Sequence, residues 1–123
     1  MAKEVVTGRK ETPLKELAKA MYDNRVGSVV IVDEAGKPVG IVTERDMVYA
    51  CARGLSGDTP AFMVMTENPI TVSGDSLVVD AMEKMRSLNV RHLPVVDKEG
   101  KVVGMISFRD LIDLASILLR LRE

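Results

Sequence analysis

The sequence predicts an α/β (α+β) fold in which one β-α-β-β-α unit is written twice. Three observations lead there. Residues 21–46 recur without a gap at residues 85–110, and ten of the 26 positions are identical: Met21, Val26, Val32, Asp33, Gly36, Lys37, Val39, Gly40, Arg45 and Asp46 return as Met85, Val90, Val96, Asp97, Gly100, Lys101, Val103, Gly104, Arg109 and Asp110. Each copy passes from a helical apolar period into short β-branched runs. Each also sets a glycine between two such runs, Gly36 and Gly100, where a tight hairpin needs a residue free to take a positive φ. Neither copy is large enough to bury its apolar face alone, so the halves are expected to pack together and leave equivalent clefts where they meet.

Strand-forming pieces open the two units at Glu4-Val5-Val6-Thr7 and Pro69-Ile70-Thr71-Val72. Thr12-Pro13 and Ser76-Leu77 then place a hydroxyl residue ahead of an apolar period, the mark of an N-cap. Leu14, Leu17, Ala18 and Met21 fall on one helical face, as do Val78, Ala81, Met82 and Met85. After Asn24 and Asn89 come Val29-Val30-Ile31-Val32 and Leu93-Pro94-Val95-Val96, continuous and short, as in strands buried on both faces. Return strands follow at residues 39–42 and 103–106, and second helices begin after Thr43 and Ser107, running to about Arg53 and Arg120. Residues 54–58 read as the linker between halves, with Thr59-Pro60 opening a short helix through about Met65. The chain thus divides into a first repeat over residues 1–54, a linker and connecting helix over 55–65 and a second repeat over 66–123, together one compact pair.

The last helix departs from ordinary amphipathicity. Over residues 111–121 only Asp113, Ser116 and Arg120 are polar, which leaves Leu111, Ile112, Leu114, Leu118, Leu119 and Leu121 on a surface too wide for one core contact. The reading is a homodimer, with burial of the whole helix inside its own domain as the alternative.

Composition excludes several function classes. With 17 Lys and Arg against 18 Asp and Glu, the net charge of −1 offers no footprint for nucleic acid or an anionic membrane. The four aromatic residues, Tyr22, Tyr49, Phe62 and Phe108, are too few for a base-stacking platform. Cys51 is alone, which excludes an intrachain disulfide, argues for a reducing compartment and reads as a small core residue. One His and one Cys do not furnish a transition-metal site. The N-terminus lacks the apolar segment of a signal peptide and no run of 18 apolar residues exists to span a bilayer, so a cytoplasmic location is expected. The eight methionines read as core filler.

Chemistry concentrates in Gly40-Ile41-Val42-Thr43-Glu44-Arg45-Asp46 and its copy Gly104-Met105-Ile106-Ser107-Phe108-Arg109-Asp110. A glycine on a strand lets another group approach the backbone, and the strand runs into a helix whose free N–H groups attract anions. The carboxylate three residues after the hydroxyl is a good acceptor for a ribose diol, while the hydroxyl, the helix N-terminus and the adjacent Arg suit phosphate. The same Ser/Thr-x-x-Asp pattern is also a capping box that needs no ligand, and one carboxylate can serve both ends.

With Asn-Pro-Ile-Thr-Val at 68–72, Arg91-His92-Leu93-Pro94-Val95-Val96-Asp97, and Gly-x-x-(Ser/Thr)-x-Arg-Asp in both halves, the chain resembles a tandem pair of CBS (cystathionine β-synthase) domains over nearly its whole length. The resemblance implies two β-α-β-β-α repeats packed about a pseudo-two-fold axis. It also implies two clefts for adenosine-containing ligands such as AMP, ADP, ATP or S-adenosylmethionine, in a module that senses or regulates, energy sensing included, and does not catalyse. Carried over by position, one site uses Thr43 and Asp46 on the ribose, Ile41, Ile70 and Val90 around adenine, and Arg91, His92 and Arg109 near phosphate. The other uses Ser107 and Asp110 on the ribose, Met105, Val6 and Val26 around adenine, and Arg45 near phosphate. The second set departs from the pattern and is poorer in cations, because Gly27-Ser28 stand where the other repeat has Arg91-His92.

Three function classes follow: a ligand sensor that signals in trans to an effector protein, a structural dimerisation module with vestigial clefts, and an enzyme acting on nucleotides. No Ser/His/Asp or Cys/His arrangement, P-loop or metal cluster supports the third, so no catalytic residue, metal or required cofactor is expected.

Overall fold

The computed structural model describes residues 5–76, 78–108 and 112. Glu4, Leu77, Arg109, Asp110, Leu111 and residues 113–123, with the expectations placed on them, lie outside the described residues. The first half runs β1 (Thr7–Gly8), α1 (Leu14–Asn24), β2 (Ser28–Val32), β3 (Pro38–Thr43) and α2 (Glu44–Ala52). A 3-10 turn at Ala61–Met63 and β4 (Thr66–Glu67) lead to β5 (Val72–Ser73), α3 (Val78–Leu88), β6 (His92–Val96) and β7 (Val102–Ser107). The strands form a four-stranded sheet in the order β1-β2-β3-β4 and a three-stranded sheet in the order β5-β6-β7.

The duplication extends to the register. Gly8 pairs with Ile31 and Val72 with Val95 in the parallel ladders, while Ser28 pairs with Thr43 and His92 with Ser107 in the antiparallel ones. Both hairpins carry an irregularity at the same place, between Ile31 and Val32 and between Val95 and Val96. Gly36 and Gly100 take φ of 81° and 84°, as their turns require. Ahead of each glycine an aspartate closes the turn: Asp33 Oδ1 accepts the amides of Ala35 and Lys37 at 2.9 and 3.0 Å, and Asp97 Oδ1 those of Glu99 and Lys101, both at 2.9 Å. The Lys37 amide, with Ala35 adding to it, holds the Asp33 carboxyl below its ordinary value.

Each half builds its own apolar cluster. Leu14, Leu17 and Met21 of α1 pack with Val29, Ile31, Val42, Ala50 and Ala61; Ala81 and Met85 of α3 pack with Val72, Leu93 and Val95. Because successive strand residues face opposite sides, Val30 and Pro94 point away from these clusters, yet both are fully buried. The central strands are therefore covered on both faces. The two hairpin turns also touch: the Val102 amide donates to the Gly36 carbonyl at 3.1 Å, the open side of Gly36 faces Lys101, and that of Gly100 faces Lys37. This reciprocity is the pseudo-two-fold relation of the repeats.

Four local expectations are corrected. Thr12 does not cap α1: its hydroxyl accepts the Arg9 amide, Pro13 occupies the cap position without a side-chain bond, and the Leu14 and Lys15 amides donate to the linker carbonyls of Thr59 and Gly57, both at 2.9 Å. A returning backbone satisfies the free amides that a hydroxyl would otherwise take. Ala18 and Met82 are exposed, since α1 and α3 present a narrower face to their sheets than the full apolar period. Cys51 is exposed too, because Ala50 is the α2 residue that turns inward and its neighbour lies about 100° around the helix. The opening strands begin later than expected, although the Val6 carbonyl still accepts the Val30 amide at 3.1 Å. The pairing of β4 with the edge of β3 has no counterpart in the sequence reading, a two-residue strand having no period to detect.

Candidate functional site

The hydroxyl at each strand end is placed by the hairpin register. Thr43 ends β3 opposite Ser28, and Ser107 ends β7 opposite His92, so each hydroxyl sits beside the start of a central strand. A backbone bond repeats there as well: the Glu44 amide donates to the Gly27 carbonyl at 3.0 Å and the Phe108 amide to the Arg91 carbonyl at 2.8 Å.

At Thr43 the capping box forms in full. The Asp46 amide donates to the Thr43 hydroxyl at 3.3 Å, and the Thr43 amide and hydroxyl donate to Asp46 Oδ2 at 2.8 and 3.2 Å. One carboxylate oxygen is thus committed to the helix start, and the pair is half-buried. Gly40, which the sequence offered as a place for close approach, is approached by the chain itself: Met65 and the Thr66 carbonyl occupy the space beside it.

The main cleft, about 1670 Å³ and open to solvent, is lined from both halves. Val6, Val26, Gly27, Ser28 and Glu44 face it from the first repeat, and Arg91, His92, Met105, Ser107 and Phe108 from the second. It thus brings together Val6, Val26, Met105 and Ser107, four side chains assigned to one adenosyl site. It adds Arg91 and His92, which had been set on the phosphate of the other site. Their cationic lining falls in the cleft that had been read as the poorer one, because strand pairing puts His92 directly opposite Ser107. The Arg91 guanidinium lies over the Phe108 ring, 5.6 Å from its centroid.

A smaller groove of about 630 Å³ runs along α3, with Val90 and Arg91 in its lining beside Val79, Met82, Phe108 and Ile112. Thr43, Asp46, Ile41 and Ile70 line neither cleft, nor does Arg45. Ile41 is buried and Ile70 is exposed. Arg109 and Asp110 lie outside the described residues. Among the described residues, no group of three or more His, Cys, Asp or Glu is placed to hold a metal. No helix described is long and apolar enough to cross a membrane.

Glu44 and Phe108 are lining residues to which sequence reasoning gave no role. Both directly follow the hydroxyl of the repeated motif. The signal was present in the repeat alignment, where this position changes from a carboxylate to an aromatic ring.

Two copies of one unit, β-α-β-β-α in the first half and β-α-β-β over the described residues of the second, meet at a shared cleft and define a tandem-repeat module. The model of the CBS domain matches residues 1–53 and 61–116, and the chain belongs to the CBS domain family. It is similar over 99% of its length to the CBS domain protein PAE2072 of Pyrobaculum aerophilum, solved in complex with AMP, at 38% identity and a TM-score of 0.88 with 94% of that chain covered. The CBS domain pair of MJ0100, solved with 5′-methylthioadenosine and S-adenosyl-L-methionine, is 32% identical with a TM-score of 0.86, covering 94% of this chain and 91% of that one. MK0525 of Methanopyrus kandleri is 36% identical over 114 residues, 91% of this chain. The chain spans 58% of that protein's length and 59% of a 17.7 kDa protein of Acidianus ambivalens that it also matches.

Proposed function

We propose that this chain is a non-catalytic regulatory module that binds adenosine-containing ligands (AMP, ADP, ATP or S-adenosylmethionine) between its repeats and signals to a partner protein. The observation that carries the reading is the main cleft, where Val6 and Val26 from one repeat meet Met105 and Ser107 from the other. The apolar trio suits an adenine ring, Ser107 with Asp110 suits a ribose diol, and Arg91 and His92 suit the group on the 5′ carbon. AMP in the related Pyrobaculum protein and the adenosyl ligands in MJ0100 support the same class. For the first set, Thr43 and Asp46 with Ile41, Ile70, Val90 and Arg109, the closed capping box favours a second reading, in which that cleft is vestigial and its carboxylate serves the helix alone.

Isothermal titration of the chain with AMP, ADP, ATP and S-adenosylmethionine tests the proposal. Saturable heat with at least one of them is expected, together with about 2.7 kcal/mol of added stability at a ligand concentration 100 times Kd. No heat with any of the four at millimolar concentration would overturn it.

We also propose that the module works as a cytoplasmic homodimer assembled through the helices that follow Thr43 and Ser107. Val48 and Tyr49 of α2 are 68% and 51% exposed, which supports an apolar contact on that helix. Sedimentation at micromolar concentration should give twice 13.5 kDa, and Leu118→Glu, on the apolar run after Ser107, should return the monomer. A monomeric parent chain sinks the dimer, and a dimer indifferent to Leu118→Glu misplaces its interface.

A further inference from the structure

The residues that follow Thr43 and Ser107 make the same backbone bond and differ in charge. Phe108 lies beneath the Arg91 guanidinium, whereas its equivalent, Glu44, turns onto the open side of Gly27. Glu44 Oε1 is 2.5 Å from the point where a Cβ on Gly27 would stand, and His92 Nε2 is 3.7 Å from that same point. A carboxylate from the first repeat and an imidazole from the second therefore converge on one patch of the cleft wall. His92 is also the cross-strand partner of Ser107, so a ribose held at Ser107 brings its 5′ substituent within reach of this patch.

We propose that Glu44 selects adenosine ligands by the charge of the 5′ group, disfavouring di- and triphosphates and favouring a neutral thioether or a cationic sulfonium. The inference rests on the adenosyl reading given above. A polyphosphate in this cleft needs cations free of competing anions, and here a carboxylate stands beside the imidazole. Among the described residues, the other charged side chains of the lining, Asp23 and Arg25, are exposed and opposite in sign, so between them they add no net charge to the cleft. Gly27 makes the arrangement possible, since a side chain there would collide with the Glu44 carboxylate.

The test is titration of the full chain and of Glu44→Gln with ATP, AMP, 5′-methylthioadenosine and S-adenosylmethionine. Glu44 is exposed, and glutamine has nearly its shape and helix propensity, so the variant should melt close to the parent. The parent should bind methylthioadenosine and S-adenosylmethionine more tightly than ATP. Glu44→Gln should tighten ATP about three- to tenfold and AMP less, leave methylthioadenosine within about twofold, and weaken S-adenosylmethionine. The gain for ATP should shrink as salt is raised. Equal shifts for all four ligands, or ATP binding best in the parent and unchanged in the variant, would overturn the selection while leaving the adenosyl site standing. Absence of binding by all four ligands to both proteins would overturn the adenosyl reading and this inference with it.

Discussion

Leu93→Ala should lower the unfolding free energy by about 2–5 kcal/mol, the range for removing a large aliphatic side chain from a packed interior. Leu93 is 0% exposed on β6 and sits in the cluster formed by Val72, Ala81, Met85 and Val95. Its neighbours are held by a strand ladder on one side and α3 on the other, so they cannot collapse into the space it vacates. The loss should appear in one unfolding transition. The hairpins β2-β3 and β6-β7 meet through Gly36 and Val102, and Val30 and Pro94 are buried on the faces turned away from their own clusters, so neither half has a complete interior by itself. Denaturant titration followed by circular dichroism measures both points. A change under about 1 kcal/mol would refute the packing assigned to Leu93, and two separated transitions would refute the shared stability of the repeats.

Gly40→Ala should cost about 1–3 kcal/mol by overpacking. A Cβ there would run into the Met65 sulfur, with Met65 Cγ at 2.9 Å and the Thr66 carbonyl oxygen at 3.2 Å. The thioether can swing away, but the carbonyl belongs to β4, which is paired to β3 at this same residue. A double-mutant cycle separates the two obstacles: Met65→Ala should recover part of the loss caused by Gly40→Ala, leaving the share due to the backbone. Full recovery would assign the whole clash to Met65, and no loss in the single variant would show that β4 yields freely.

Much of the fold was legible because its determinants are local. Gly36 and Gly100 with the aspartates before them, the apolar period of α1 and α3, and the β-branched runs of β2 and β6 act within a few residues, and duplication displayed each of them twice. Two of the failures were places where a distant segment supplied what a local group was expected to supply. The linker carbonyls of Gly57 and Thr59 took the amides meant for Thr12, and Met65 took the space beside Gly40. At Thr43 the local and functional readings of one motif coincided, and the coordinates display the cap.

By itself the sequence determined the repeated unit, its order of elements, its turns and the family to which both copies belong, because periodicity and turn chemistry are written in neighbouring residues. Only the tertiary structure decided which side chains share a cleft. Arg91 and His92 stand with Val6, Val26, Met105 and Ser107, and Glu44 reaches them from the other repeat across Gly27. That grouping depends on how two sheets pack about their common axis, and packing of segments far apart in the chain leaves no period or spacing to read.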